Sequence, residues 1–220
     1  MELRRTANAG VLLKMDGVSI LLDGVCGEVP PYLPTPDALR AALIACPADA
    51  LAFTHDHADH FDRAFGEQFQ KKNLRPVFGP ESLPLEAVVS QPQRVGAVTV
   101  IPVPSKHLGA AGRTCSHMSF ILRGSRCVWF MGDASPLQWQ SRQDLPKPDM
   151  IIAPYAYASS PAGWQITKAL GAKQLIVLHL PPRNHDPASL WPAVEQTVGS
   201  DRDPYVLVPE MGQVIRFGNQ

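Results

Sequence analysis

Residues 53–62 read FTHDHADHFD and carry three histidines and three aspartates in ten positions. Crowding titratable groups in this way sets like charges against one another, so the cluster asks for something that holds it. It follows the apolar, strand-like run ALAFT at 50–54. In a chain that leaves such a strand extended, residues two apart face the same side, so His55 and His57 offer two imidazoles to one point. Phe61, Phe65 and Phe69 recur four apart, which predicts a helix over 61–72. Asp59 and His60 fall where that helix begins, and a turn there would aim them back toward the same pocket. A solvated turn accounts for one histidine, but H-x-H-x-D-H directly after an apolar strand points to metal. Imidazole and carboxylate suit zinc and, with more oxygen donors, manganese or iron.

Working outward, Met15-Asp16-Gly17 separates two apolar runs, the signature of a hairpin. Asp37 precedes ALRAALIAC and reads as the N-cap of a short helix. Strands are expected at 75–79 and 98–103, in a hairpin over 118–133 that turns at Gly124-Ser125, at 150–155, and in 173–180 with its end at His179. Helices are expected at 164–170, stopped by Gly171, and at 188–198, with Pro192 in the first turn. Two closing strands are YVLVPE and GQVIRFG. This order fits mixed sheets with helices on the outer faces, in a single domain over 1–220.

The 220 residues carry 20 Lys plus Arg against 20 Asp plus Glu, and 45% are of hydrophobic types, enough for a sizeable core. A neutral chain without a basic stripe gives no reason to expect a nucleic acid partner. A small-molecule substrate is the expected partner, and the sequence is compatible with a homo-oligomer. Neither a secretory leader nor a run of ~20 apolar residues is evident, so a cytoplasmic protein that does not enter the membrane is expected. The four cysteines form no C-x-x-C pair and read as free thiols, Cys115 as a buried, inert one.

THDHADH, residues 54–60, resembles the T-H-x-H-x-D-H motif of the metallo-β-lactamase superfamily. Later elements follow in the same order as in that family. VTVIPVPSKH puts His107 just past a strand, WFMGD puts Asp133 after Gly132 at a strand end, and LIVLH puts His179 at another. The resemblance implies an α/β fold, a four-layer αβ/βα sandwich with the site at one edge. It also implies two divalent metal ions, zinc first, with manganese or iron as alternatives. His55, His57 and His107 would hold the first, Asp59, His60 and His179 the second, and Asp133 would bridge them. His117 competes with His107 for the third position of the first ion. His107 follows its strand closely, as suits a loop ligand, whereas His117 leads into the next strand and would contact substrate or cap that strand. Two ions ~3.5–4 Å apart would generate hydroxide from water at neutral pH, with Asp59 orienting it as the catalytic residue.

Lys106, Arg113, Tyr155, Arg183 and His185 lie near the ligands in sequence and are candidates for steering a phosphate or carboxylate. Between Asp133 and His179 lie 45 residues and after His179 lie 41, too few for the inserted or appended domains of the RNA-processing and thioesterase branches. The chain looks most like stand-alone metal-dependent hydrolases, the ascorbate-6-phosphate lactonase-like group among them, acting on a small ester, lactone or phosphodiester. A non-hydrolytic diiron redox protein or a regulatory metal-binding module on the same scaffold is the alternative.

Overall fold

In the computed structural model, residues 1–110, 114–142, 144–199 and 205–218 are described. Asp16 and Gly17 take left-handed backbone conformations, with φ of 53° and 77°. A two-residue hairpin loop whose twist matches its strands requires this, and Asp-Gly supplies it.

The first sheet contains β1 (Glu2–Arg5), β2 (Val11–Met15), β3 (Val18–Leu22), β4 (Ala50–Ala52) and β5 (Val77–Phe78). The second contains β6 (Gln93–Val95), β7 (Val98–Ser105), β8 (His117–Arg123), β9 (Cys127–Phe130), β10 (Met150–Pro154), β11 (Gln174–Leu178) and β12 (Val206–Leu207). The last strand, β13 (Val214–Arg216), returns to the first sheet. The orders are β13-β1-β2-β3-β4-β5 and β12-β11-β10-β9-β8-β7-β6. Pairing is antiparallel at the hairpins. It becomes parallel from β3 to β5 and from β9 to β12.

The core has three storeys. Ile20, Leu22, Ala52 and Phe78 from one sheet pack against Val100, Phe120, Phe130, Ile152 and Ile176 from the other. Side chains of opposite parity turn outward. Leu21, Leu51 and Phe53 pack with α1 (Asp37–Ala45) and α2 (Arg63–Asn73). Ile121, Trp129, Ile151 and Val177 pack with α3 (Pro161–Ala169) and α4 (Leu190–Val198). Burial on both faces explains the unbroken apolar runs of the parallel strands. The result is a four-layer α/β/β/α sandwich.

All four helix starts differ from the sequence reading; the last, expected at 188, falls at Leu190. The helix expected at 61–72 begins at Arg63, because Asp62 accepts from Phe65 N–H at 2.8 Å and takes the N-cap. Phe61 stays outside the helix and sets its ring edge-on to Phe53 at 4.8 Å. Asp37 is the first helical residue rather than the cap, since Pro36 occupies that place and Asp37 makes no capping bond. There its charge still favours the positive end of the helix. The third helix begins before Trp164, at Pro161, where Ser160 accepts from Gly163 N–H at 3.2 Å. Gly171, with φ of 72°, ends it as expected. Among the described residues no helix is long and apolar enough to cross a membrane.

Candidate metal centre

The histidine cluster, Asp133 and His179 leave the ends of β4, β9 and β11 on one edge of the sandwich. Three strand-end residues there have left-handed backbones: Asp23 after β3 (φ 44°), Gly132 after β9 (φ 54°) and His179 after β11 (φ 59°). Residues other than glycine seldom adopt this region, so Asp23 and His179 are both held there by their surroundings. Its N–H reaches Asn8 O at 3.3 Å. Gly132 is needed for a second reason: a Cβ there would lie 2.5 Å from the Thr54 methyl carbon. That close approach joins the end of β4 to the end of β9, and Met118 N–H donates to Thr54 O at 2.9 Å beside it.

From this frame seven side chains converge. His55 and His57 meet at 4.4 Å between ring centroids, and His107 lies 4.8 Å from His55 and 4.9 Å from His57. A turn follows, closed by His60 N–H to His57 O at 2.9 Å, and it swings Asp59 and His60 back. His179 Nε2 lies 3.0 Å from Asp59 Oδ2. Asp133 sits between the two groups, with Oδ1 3.3 Å from His60 Nε2 and Oδ2 3.5 Å from both His107 Nε2 and His179 Nε2. The loops of His107 and Asp133 are zipped together by Leu108 N–H to Asp133 O and Ser135 N–H to Lys106 O, each 2.8 Å.

A second layer decides which nitrogen faces inward. Thr54 Oγ1 donates to Asp23 Oδ2 at 2.6 Å, so its oxygen is left to accept from His55 Nδ1 at 2.9 Å. His60 Nδ1–H donates to the same Asp23 oxygen at 2.8 Å, and His107 Nδ1–H donates to Leu108 O at 2.8 Å. Each of these rings then turns Nε2 into the centre, the arrangement that metal-binding histidines favour. The Nε2 atoms of His55, His60, His107 and His179 and Asp133 Oδ1 are buried without a hydrogen-bond partner. Buried polar atoms are ordinarily satisfied, and five orphans around one point fit a cation.

The charge states agree. Burial, with His60 and His117 alongside, pushes the His55 imidazole far down, so it is neutral. Burial opposes ionisation of Asp133, but His179 and His60 outweigh it and hold that carboxyl well below the usual range. Burial works against Asp59 too, and His179 overcomes it. Burial disfavours a charged His60, yet Asp133 and Asp23 raise it well above the usual value. Neutral imidazole and ionised carboxylate are the forms that bind metal, and a cation would take the place of the proton on His60.

His107 and His117, the two candidates for one position, are separated by their bonds. His107 Nε2 is free and faces Asp133. His117 spends both ring nitrogens within the protein, Nδ1 with Ser105 Oγ at 2.7 Å and Nε2 accepting from Asp133 N–H at 3.0 Å. It opens β8 and holds the Asp133 backbone, which leaves no nitrogen for substrate. Burial pushes its imidazole from the usual 6.5 down to about 3. The unfolded chain then takes up a proton near pH 6.5 that the native state refuses. The stability His117 contributes is complete above about pH 6.5 and is lost as pH falls toward about 3. His60, with a raised value, works in the opposite sense, so a difference measurement is needed. Metal-free wild type is expected to lose on the order of 1–2 kcal/mol more than His117→Gln between about pH 7 and 5 in urea unfolding. Parallel profiles for the two proteins would refute this.

The remaining expected substrate residues divide. Tyr155 is at the site, its ring 6.0 Å from His179. Lys106 is exposed, with its backbone N–H donating to Gln138 Oε1 at 2.8 Å. Arg183 is exposed and engaged on α4: it pairs with Glu195 at 2.9 Å and stacks on Trp191 at 3.8 Å. His185 is exposed. Arg113 lies outside the described residues. Cys115 is half-exposed rather than buried, and its sulfur lies beside the His55–His57–His107 group. Three contributors were not singled out. Asp23 ends the LLDG run, and a Gly after an acid at a strand end was the available signal. Tyr32, in the proline-rich PPYLPTP, sets its ring 4.4 Å from His179. Ser105 carried no signal.

No family model and no curated protein sequence matches the chain. Solved structures do. A possible metal-dependent hydrolase from Veillonella parvula superposes with TM-score 0.73 at 18% identity, covering 98% of each chain. The metallo-β-lactamase fold protein YhfI from Bacillus subtilis gives 0.63 at 17% identity over 97% of this chain and 98% of that one. CmlA, a diiron β-hydroxylase from Streptomyces venezuelae, gives 0.68 at 17% identity over 98% of this chain and 54% of its own. The layers, the strand orders and these superpositions define a metallo-β-lactamase fold. This chain adopts that fold, and its histidine–aspartate edge is the candidate centre.

Proposed function

We propose that this chain is a dinuclear metal-dependent hydrolase of a small ester, lactone or phosphodiester. His55, His57 and His107 hold the first cation, Asp59, His60 and His179 hold the second, and Asp133 is shared. The observation that carries this reading is the set of orphaned Nε2 atoms facing the two oxygens of Asp133. Divalent cations bound there, zinc foremost, supply Lewis acidity and an activated water at neutral pH.

The chain's own groups do the rest. Asp23 and Thr54 hold His55 and His60 in the tautomers that keep Nε2 available. Asp59, whose carboxylate is partly open to solvent at 14% exposure, orients the attacking water by accepting its hydrogen. Tyr32 and Tyr155 stay protonated because burial and nearby acidic groups push both phenols up. Beside His179, they can donate to a substrate oxygen as negative charge develops on it. His117 positions Asp133 through its backbone.

Elemental analysis followed by a substrate panel on the same sample tests the proposal. About two zinc or manganese ions per chain are expected, with hydrolysis that a chelator abolishes and the metal restores. The panel includes phosphorylated-sugar lactones, which the sequence resemblance suggests. Two irons with dioxygen consumption and no hydrolysis would overturn this reading in favour of the redox alternative, for which the likeness to the diiron hydroxylase speaks. A protein that binds no metal would overturn both.

A further inference from the structure

The three-histidine group has a fourth member that the hydrolase reading does not use. The donor atoms of His55, His57 and His107 and the sulfur of Cys115 all lie within 4.8 Å of one another. Cys115 precedes β8 by two residues, so it approaches this group from a stretch separate from those carrying the histidines. Imidazole and thiolate are both ligands that zinc takes. His55 Nε2, fully buried and without a partner, points to a ligand at the same place independently of the cysteine. The other three thiols are placed elsewhere: Cys26 lies against Thr35 and Leu33 O, Cys127 against Pro146 O, and Cys46 is exposed just after α1.

We propose that Cys115 is a ligand of the first cation. The thiol proton leaves to solvent, the sulfur lone pair forms the bond to the metal, and no oxidation state changes. The inference rests on the metal reading above and adds to it. The first cation would then be held by His55, His57, His107 and Cys115 beside the shared Asp133.

Cobalt(II) tests this without recourse to turnover. Protein stripped of metal and reconstituted with cobalt is expected to show an intense near-ultraviolet sulfur-to-cobalt charge-transfer band. Cys115→Ser, which keeps Cys26, Cys46 and Cys127, is expected to hold cobalt and lose the band. Uptake of cobalt without the band in wild type, or with the band retained in the variant, would overturn the proposal and leave the hydrolase reading standing. No uptake of cobalt by wild type would overturn both. A second measurement on wild type needs no variant. Iodoacetamide alkylation of Cys115, followed by peptide mapping with Cys46 as the internal standard, is expected to be at least ~10-fold slower with zinc than with chelator, because a coordinated thiolate is a poor nucleophile. Equal rates in the two states would overturn the assignment.

Discussion

A His57→Ala variant is expected to lose at least ~100-fold in turnover, together with the first cation, while unfolding at an unchanged denaturant midpoint. Losses of 10–100-fold follow the removal of groups that merely support a ligand, so removal of a ligand itself sets the lower bound. His57 is the best member of the set for this test. It is half-exposed, and among the described residues its side chain makes no hydrogen bond, whereas His55 and His60 are fully buried and bonded to Thr54 and Asp23. Truncating His57 therefore removes a donor and leaves the core and its hydrogen bonds in place. Matched kinetics, metal content and urea unfolding decide the matter. Normal turnover in a folded variant would refute the mechanism.

Asp23→Ala is expected to fail in a different way, losing stability and metal affinity together. The Asp23 carboxylate is completely buried and accepts from Thr54 N–H at 2.7 Å, Thr54 Oγ1 at 2.6 Å and His60 Nδ1 at 2.8 Å. Burial pushes its carboxyl up, and those same bonds oppose the rise. Removing the acceptor orphans three buried donors, one of them on a charged ring, at an expected cost of ~3–5 kcal/mol. His60 then loses the partner that fixes its tautomer, and zinc affinity is expected to fall ~10–100-fold. Urea unfolding of the metal-free protein reads the first effect, and zinc titration under native conditions reads the second. A variant within about 1 kcal/mol of wild type would show that Asp23 is a bystander.

The seven metal-binding candidates were legible because each carries its own local signal. His55, His57, Asp59 and His60 crowd into one segment, and His107, Asp133 and His179 each follow an apolar, strand-like run. The supporting layer was not legible, because its signals have commoner meanings. Asp23-Gly24 reads as a turn, and only the fold shows its carboxylate turned beneath Thr54 and His60. Tyr32 hides in a proline-rich loop whose path no periodicity predicts. Arg183, four residues from His179, is held on the α4 surface by Glu195 and Trp191, a placement that its position in the sequence does not announce. The cap of α2 follows the same lesson on a small scale. Asp62 accepts from Phe65 N–H and caps the helix, which leaves Phe61 outside it to pack against Phe53.

The centre draws its groups from both sheets, residues 23–60 on one side of the interface and 107–179 on the other. In a chain still unfolded, only the His55–His60 segment has its donors near one another. The remaining groups arrive after closure of chain loops some 50 to 120 residues long, which is the slow kind of contact in folding. Tight capture of the cations therefore belongs at the end of the folding reaction, and its rate reports the moment at which the two half-sandwiches dock.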